Sequence, residues 1–313
     1  MMQNAIGIHN PCSKLARLSM LWFFQLLVNK FGATKEVLTN DSRSLLGIML
    51  DLVNSSISKT EEQAIRIFQL LAYFTSATLA SFDPAMKPLV QSMIDGVANE
   101  KYGRKVAQSF RILLGPSEIL NKENFCTIRS LRNSRLFAMS VEPLISLWSS
   151  SVTSDIKENC LIALAGVLYY VDSSFLVENE ESIGLLPLIL EGTNVQNDEW
   201  AKAAFIKTIR DLIPLIPLRI EEHLDSVINR MTDRTHNTLD SPSDGSVRCR
   251  ELALEVLAAL TKHVNETSLV KRKFNLMSEL DIAVDDPSRD VRAKAVEAKM
   301  AWFNIGLPTV GGR

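Results

Sequence analysis

Residues 285–306 read DDPSRDVRAKAVEAKMAWFNIG. An acidic turn leads into the apolar Val291, and the small Ala295 follows four positions later, which places both on one face of a helix. Working back along the chain, the same order recurs at Val247 to Glu251, Trp200 to Ala204 and Ile156 to Cys160. The first residues of these segments stand 44, 47 and 44 positions apart. Each segment follows a turn rich in acids or serine: Ser154-Asp155, Asn197-Asp198, Ser243-Asp244 and Asp285 to Asp290. Side-chain oxygens of this kind accept the unpaired backbone N–H groups of a helix's first turn. A step of about 40 to 47 residues is the period of HEAT and armadillo units, in which two helices joined by a short turn stack on the next pair.

The partner helix of each pair is expected upstream, opened by proline at Pro143, Pro187, and Pro214 with Pro217, since proline lacks an N–H that would be unpaired there anyway. The first half repeats the scheme less regularly, with helices expected near 14–31, 42–57, 61–80, 85–97 and 103–114. Only 13 Gly and 11 Pro against 42 Leu in 313 residues fit a chain of helices. The expectation is an all-α fold: one α-solenoid over residues 1–313, an armadillo-like superhelix of about six HEAT-type pairs plus an unpaired first helix. Its first helix contains the apolar run Leu18 to Val28, which includes Gln25. Far shorter than the roughly 20 apolar residues that span a bilayer, and followed by no A-x-A-like cleavage site, it reads as a buried helix.

Two segments break the period. Residues 115–140 form an irregular insertion that carries Arg129, Arg132 and Arg135 at i, i+3 and i+6, three cations along one helical face. That face is either solvated and paired with neighbouring acids or a docking patch for an acidic partner. Residues 232–246, polar with Pro242 and Gly245, read as a flexible loop.

The chemistry of catalysis is missing from the sequence. A net charge of −2 supplies no field to draw nucleic acid or anionic lipid. No phosphate-binding glycine loop, nucleophile elbow or H-E-x-x-H helix occurs. His9, His223, His236 and His263 lie far from each other and from any Cys, so no local metal set forms. The pair Glu221-Glu222 and Glu178, Glu180 and Glu181 read as solvated helix termini, while Trp148, Phe205, Met231 and Trp302 read as core. Cys12, Cys126, Cys160 and Cys249 stand far apart, as in a reducing compartment and unlike the spacing that iron–sulfur ligation prefers. No enzyme, cofactor or metal is expected.

On the last helix, Val291, Ala295, Ala298 and Trp302 form one apolar stripe, and Val296, Met300 and Phe303 an adjoining one; both are expected to pack. Arg289, Lys294, Glu297 and Asn304 are left facing solvent as candidate partner contacts, with Trp302 and Phe303 joining them if a partner caps this end. Asp285, Asp286 and Arg292 are the expected rungs of an ion-pair ladder between units.

The string from Asp285 to Gly306 resembles the end of the Mms-nineteen family in Asp285, Asp286, Arg289, Val291, Arg292, Ala295, Val296, Ala298, Trp302, Phe303 and Gly306. Upstream, GRKVAQSFRILL (103–114) and TIRSLRNSRLFAMSVEPLI (127–145) are similar to the family's small-residue helix and the Arg-rich helix after it. The chain departs from the family at Lys294, where acid is common, and at Lys299, where Arg is common. The resemblance implies the C-terminal part of a longer HEAT-repeat protein: a non-catalytic adaptor of the cytosolic iron–sulfur assembly targeting complex, also linked to nucleotide excision repair and transcription. It would dock a small targeting subunit and, through it, a WD-repeat propeller, and bring in apo clients such as DNA helicases and polymerases. It would contact neither nucleic acid nor membrane directly, and would work in the cytoplasm and nucleus. The alternative is a generic HEAT scaffold of transport or phosphatase type.

Overall fold

The computed structural model describes residues 14–34, 44–235 and 244–306. Among these residues there are fifteen α-helices and no β-strand. They are α1 (Lys14–Phe31), α2 (Leu45–Ser55), α3 (Glu61–Ser81), α4 (Met86–Val97), α5 (Gly103–Leu114), α6 (Arg132–Ser150), α7 (Ser154–Leu168) and α8 (Ser173–Ile183). The others are α9 (Leu185–Gly192), α10 (Glu199–Leu212), α11 (Pro217–Glu222), α12 (Leu224–Thr235), α13 (Asp244–His263), α14 (Glu266–Val284) and α15 (Arg289–Phe303). None is long and apolar enough to cross a membrane.

The helices fall into two compact units, residues 1–171 and 172–313. In the first unit α2 pairs with α3, α4 with α5 and α6 with α7, while α1, α3, α5 and α7 stack as a second row. In the second unit α9 pairs with α10, α12 with α13 and α14 with α15, and α10, α13 and α15 make the equivalent row. A row helix with a partner and neighbours on both sides is buried on most of its circumference: Asn159 through Leu168 of α7 are all buried. Of the expected capping turns, the one at Asn197-Asp198 is in place: Asp198 accepts from the Ala201 N–H at 3.0 Å to open α10. At Ser154-Asp155 Thr153 precedes α7 and makes no side-chain cap bond. A capping box of Thr60 and Gln63 opens α3.

Glycine sets the helix-to-helix distance at two places. A Cβ on Gly166 of α7 would meet the Arg111 nitrogen and Phe110 Cβ of α5 at 2.8 Å, and one on Gly192 would lie 2.2 Å from the Phe205 ring. Only a bare backbone fits such contacts.

Several expectations need correction. Pro143 lies inside α6, because good helix formers from Arg132 onward start the helix well before it. The run Leu218 to Met231, expected as one helix after Pro217, is broken at His223. The pair-mate of α10 expected to open at Pro187 is α9, which has Pro187 in its first turn and follows Gly184, whose φ of +67° only glycine adopts without strain. Irregular chain fills 115–131 only; residues 132–140 belong to α6. Residues 232–235 continue α12 and 244–246 open α13, and the rest of the segment expected as a flexible loop, 236–243, lies outside the described residues. Glu180 is no solvated terminus. It is 2% exposed, and its two carboxylate oxygens accept from the Leu186 N–H at 3.2 and 3.1 Å, capping α9. Burial pushes its carboxyl above the ordinary range, against the pull of the Leu186 and Leu185 N–H groups and of the nearby Arg219 and His223 charges.

Candidate partner-binding surface

Trp302 anchors the last pair. Its ring is fully buried and its indole N–H donates to the Leu257 carbonyl of α13 at 2.8 Å, so the side chain is core and presents nothing to a partner. Val291, Ala295 and Ala298 line up with it against the preceding row helix, as their spacing requires. The second stripe behaves otherwise: Val296, Met300 and Phe303 are exposed, because only one face of α15 meets α13 and another meets α14. From α14, Val270, Phe274 and Ile282 are exposed as well, Phe274 to 83%. Between the two helices lies an apolar pocket of about 180 Å³ lined by Met277, Lys299, Met300, Phe303 and Asn304.

The rim of this surface is held by charge. Lys273 donates to the Phe303 and Ile305 carbonyls, both at 2.7 Å, and its ammonium sits 5.5 Å from the Phe303 ring centroid. The α15 C-terminus is thereby neutralised and the aromatic ring oriented. Lys299 pairs with Asp281 across the helix pair. The result is a soft apolar area of aromatic and methionine side chains bounded by cations, the composition that suits a protein partner.

The remaining candidates divide. Arg289, Glu297 and Asn304 are exposed, in the expected manner. Lys294 is half-buried and committed, at 3.4 Å from Glu255 and 3.3 Å from Glu297. Arg210 of α10 reaches Glu255 from the other side at 2.7 Å, so one acid bridges three consecutive row helices. Burial opposes the charge on each of these groups. The hydrogen bonds and mutual attraction prevail, lowering the Glu255 carboxyl and raising Arg210 and Lys294.

The expected ladder exists with a different cation. Asp286, in the turn before α15, pairs with Arg250 of α13 at 2.7 Å between Nε and Oδ2, both side chains almost wholly buried. The aligned hydrogen bond of this pair runs from Nη2 to Oδ1 at 3.3 Å. Arg292 follows its own turn too closely to reach another unit and instead donates to the Asp286 and Pro287 carbonyls at 2.7 and 2.9 Å. Asp285 is exposed. Similarly, Arg129, Arg132 and Arg135 do not share a helical face. Arg129 lies in the connector, where its N–H donates to the Ala80 carbonyl at 2.8 Å, and the helix starts only at Arg132. Arg132 is half-buried, its guanidinium pKa lowered by that burial; Arg135 is exposed and stacks 4.6 Å from the Phe82 ring centroid. His263 is exposed, and His223 caps α11. Phe205 and Met231 are core, whereas Trp148 is half-buried beneath Lys157.

Sequence reasoning missed Arg250 and the apolar set of exposed Phe274 and Met300 with half-buried Met277. Val270, Phe274 and Met277 stand at i, i+4 and i+7 of α14, a signal present in the sequence but indistinguishable there from a core stripe.

Rows of stacked helix pairs define an armadillo- or HEAT-like helical-repeat fold. Solved structures of this architecture agree: a designed armadillo repeat protein in complex with peptide (KR)4 superposes with a TM-score of 0.54 at 14% identity, over 83% of this chain and all of that one. Another designed armadillo repeat protein gives 0.52 at 13% identity, over 81% of this chain and 99% of its own. The chain belongs to the MMS19 family, whose C-terminal model, described as RNAPII transcription regulator C-terminal, matches residues 1–261. Relatives named MMS19 nucleotide excision repair protein homolog include those of Xenopus tropicalis, 30% identical over 79% of this chain, and Homo sapiens, 25% identical over 91%. The chain spans 23% and 26% of their respective lengths.

Proposed function

We propose that this chain is the adaptor end of a non-catalytic scaffold of cytosolic iron–sulfur protein assembly, acting in cytoplasm and nucleus. The observation that carries the reading is the exposed apolar surface of α14 and α15 around Met277, Met300 and Phe303, bounded by Lys273 and Lys299. Exposed apolar area of this kind on a soluble fold marks a protein contact. Family membership supports which contact: the small targeting subunit of the assembly complex, with its WD-repeat propeller, from which apo helicases and polymerases are served. Among the described residues no three His, Cys, Asp or Glu side chains gather as a metal site.

Co-purification of the chain with the small targeting subunit and the propeller, followed by size exclusion, tests the reading. A stoichiometric complex that is lost in M300D/F303D, while circular dichroism and melting stay as in the parent, supports it. Capture of a transport GTPase or a phosphatase subunit in place of the assembly factors would instead make this a general HEAT scaffold.

A further inference from the structure

The connector between α5 and α6 is a built structure. Ser117 Oγ accepts from the Ile119 and Leu120 N–H groups at 3.2 and 3.1 Å, and Asn121 Oδ1 accepts from Asn124 N at 2.8 Å. Asn29 of α1 clamps it by a reciprocal pair of bonds, accepting from Thr127 N at 2.9 Å and donating to Thr127 O at 3.0 Å. Arg129 N ties the same stretch to the end of α3. The C-terminal ends of α1 and α3 and the connector therefore converge, and what they present to solvent is unusual in two respects.

The first is apolar. Phe125 is 86% exposed and held at a φ of +53°, a region that a bulky residue adopts only when its surroundings impose it. Lys30 fixes it by donating to the Phe125 carbonyl, with its ammonium 5.6 Å from the ring centroid. Ile128 and Leu131, three and six residues further along the chain, are exposed, as is Phe31, which follows Lys30. The second respect is charge. Residues 122–135 hold Lys122, Arg129, Arg132 and Arg135 against the single acid Glu123. The buried acid nearby, Asp83, spends its oxygens on the Ala33 and Ala85 N–H groups, both at 2.8 Å, and leaves the cations uncompensated by it.

We propose that this patch, centred on Phe125, Arg129, Leu131 and Arg135, binds an acidic amphipathic peptide segment, one in which Asp or Glu alternates with aromatic or leucine side chains. The exposed rings and Leu131 receive the apolar side chains, and the exposed guanidinium groups of Arg129 and Arg135 the carboxylates. The occupant's charge follows from the excess of cations, and its amphipathic character from the interleaving of those cations with apolar side chains. The patch lies in the first unit, apart in sequence from α14 and α15, and does not rest on the adaptor reading.

The test uses the intact chain and a short fluorescent peptide of repeated Asp-Phe-Asp-Leu, read by anisotropy at low and physiological salt. The expected result is saturable binding that weakens with salt and falls about tenfold or more in R129E/R135E and in F125A/L131A, at the usual 1.4 kcal/mol per decade. All four side chains sit in or next to the connector, outside the core, and circular dichroism and melting confirm that each double variant keeps its fold. M300D/F303D should bind the peptide as the parent does, which separates this site from the one on α14 and α15. Binding of equal strength by Lys-Phe-Lys-Leu or Asp-Gly-Asp-Gly repeats, or by single-stranded DNA, would overturn the proposal. So would an affinity that neither double variant changes.

Discussion

Glu255 stands between Arg210 and Lys294, and removing its charge leaves both cations half-buried without their shared partner. Glu255→Gln is expected to cost about 1 kcal/mol, since the groups are only partly withdrawn from water. Its folded pKa is lowered, so the stabilisation is present above the ordinary glutamate value near about 4.3 and disappears as the pH falls through the lower folded value. Denaturant melts should therefore show the gap between Glu255→Gln and parent closing on acidification. Glu180 carries the opposite sign: its folded pKa is raised, so between the unfolded and folded values the native state holds the extra proton. Its contribution should grow as pH falls through that window, and a Glu180→Gln variant should lose this acid-side gain. Melts of the two variants that moved in the same direction with pH would contradict both assignments. At Trp302 the cost is of another order. Trp302→Ala opens a cavity and orphans the Leu257 carbonyl, an expected loss of about 3 to 5 kcal/mol in chemical denaturation, while Trp302→Phe isolates the hydrogen bond at about 1 to 2 kcal/mol.

At the scale of helices, contact distance is controlled by side chains that are missing. Gly166→Ala would force α5 and α7 apart, because the atoms in the way are the backbone nitrogen of Arg111 and the Cβ of Phe110, neither of which can turn aside. The expected penalty is about 1 to 3 kcal/mol, read as a shift in unfolding midpoint at unchanged slope. The helices themselves were legible in the sequence where spacing and caps agree: 14–31 and 103–114 are met to the residue, and 61–80 and 85–97 within one position. The break at His223 was not, because apolar positions at helical spacing, Ile220, Leu224 and Val227, continue on both sides of it. The identity of the ion-pair rungs was equally hidden. The counterpart of Arg292 one unit earlier is Arg248, directly after Val247, yet the cation that pairs with Asp286 is Arg250, two positions further on, and only the packing of α13 against the turn at Asp286 shows it.

For the molecule as a whole, period and composition sufficed to read an all-helical repeat array, since a step repeated three times constrains topology more than any single motif does. The surface was the part least readable. Met300 and Phe303 look like core in a helical wheel, and whether a stripe is covered depends on how many neighbours its helix has, which no local pattern encodes. In arrays stabilised by nearest neighbours, damage should fade with distance. Native-state hydrogen exchange in Trp302→Ala should show the greatest loss of protection in α15 and α13 and progressively less toward α10; uniform loss across the second unit would mean that it melts as one block. Finally, the sulfur atoms at Cys160 and Cys249, one in each unit, are buried, and burial pushes both thiols up to about 12. At neutral pH the thiolate is therefore strongly disfavoured at both, and only that form captures soft metals or attacks electrophiles. Both positions are thus chemically silent ballast, and a molecule proposed to work among proteins awaiting iron and sulfide keeps its own inner sulfur out of the exchange.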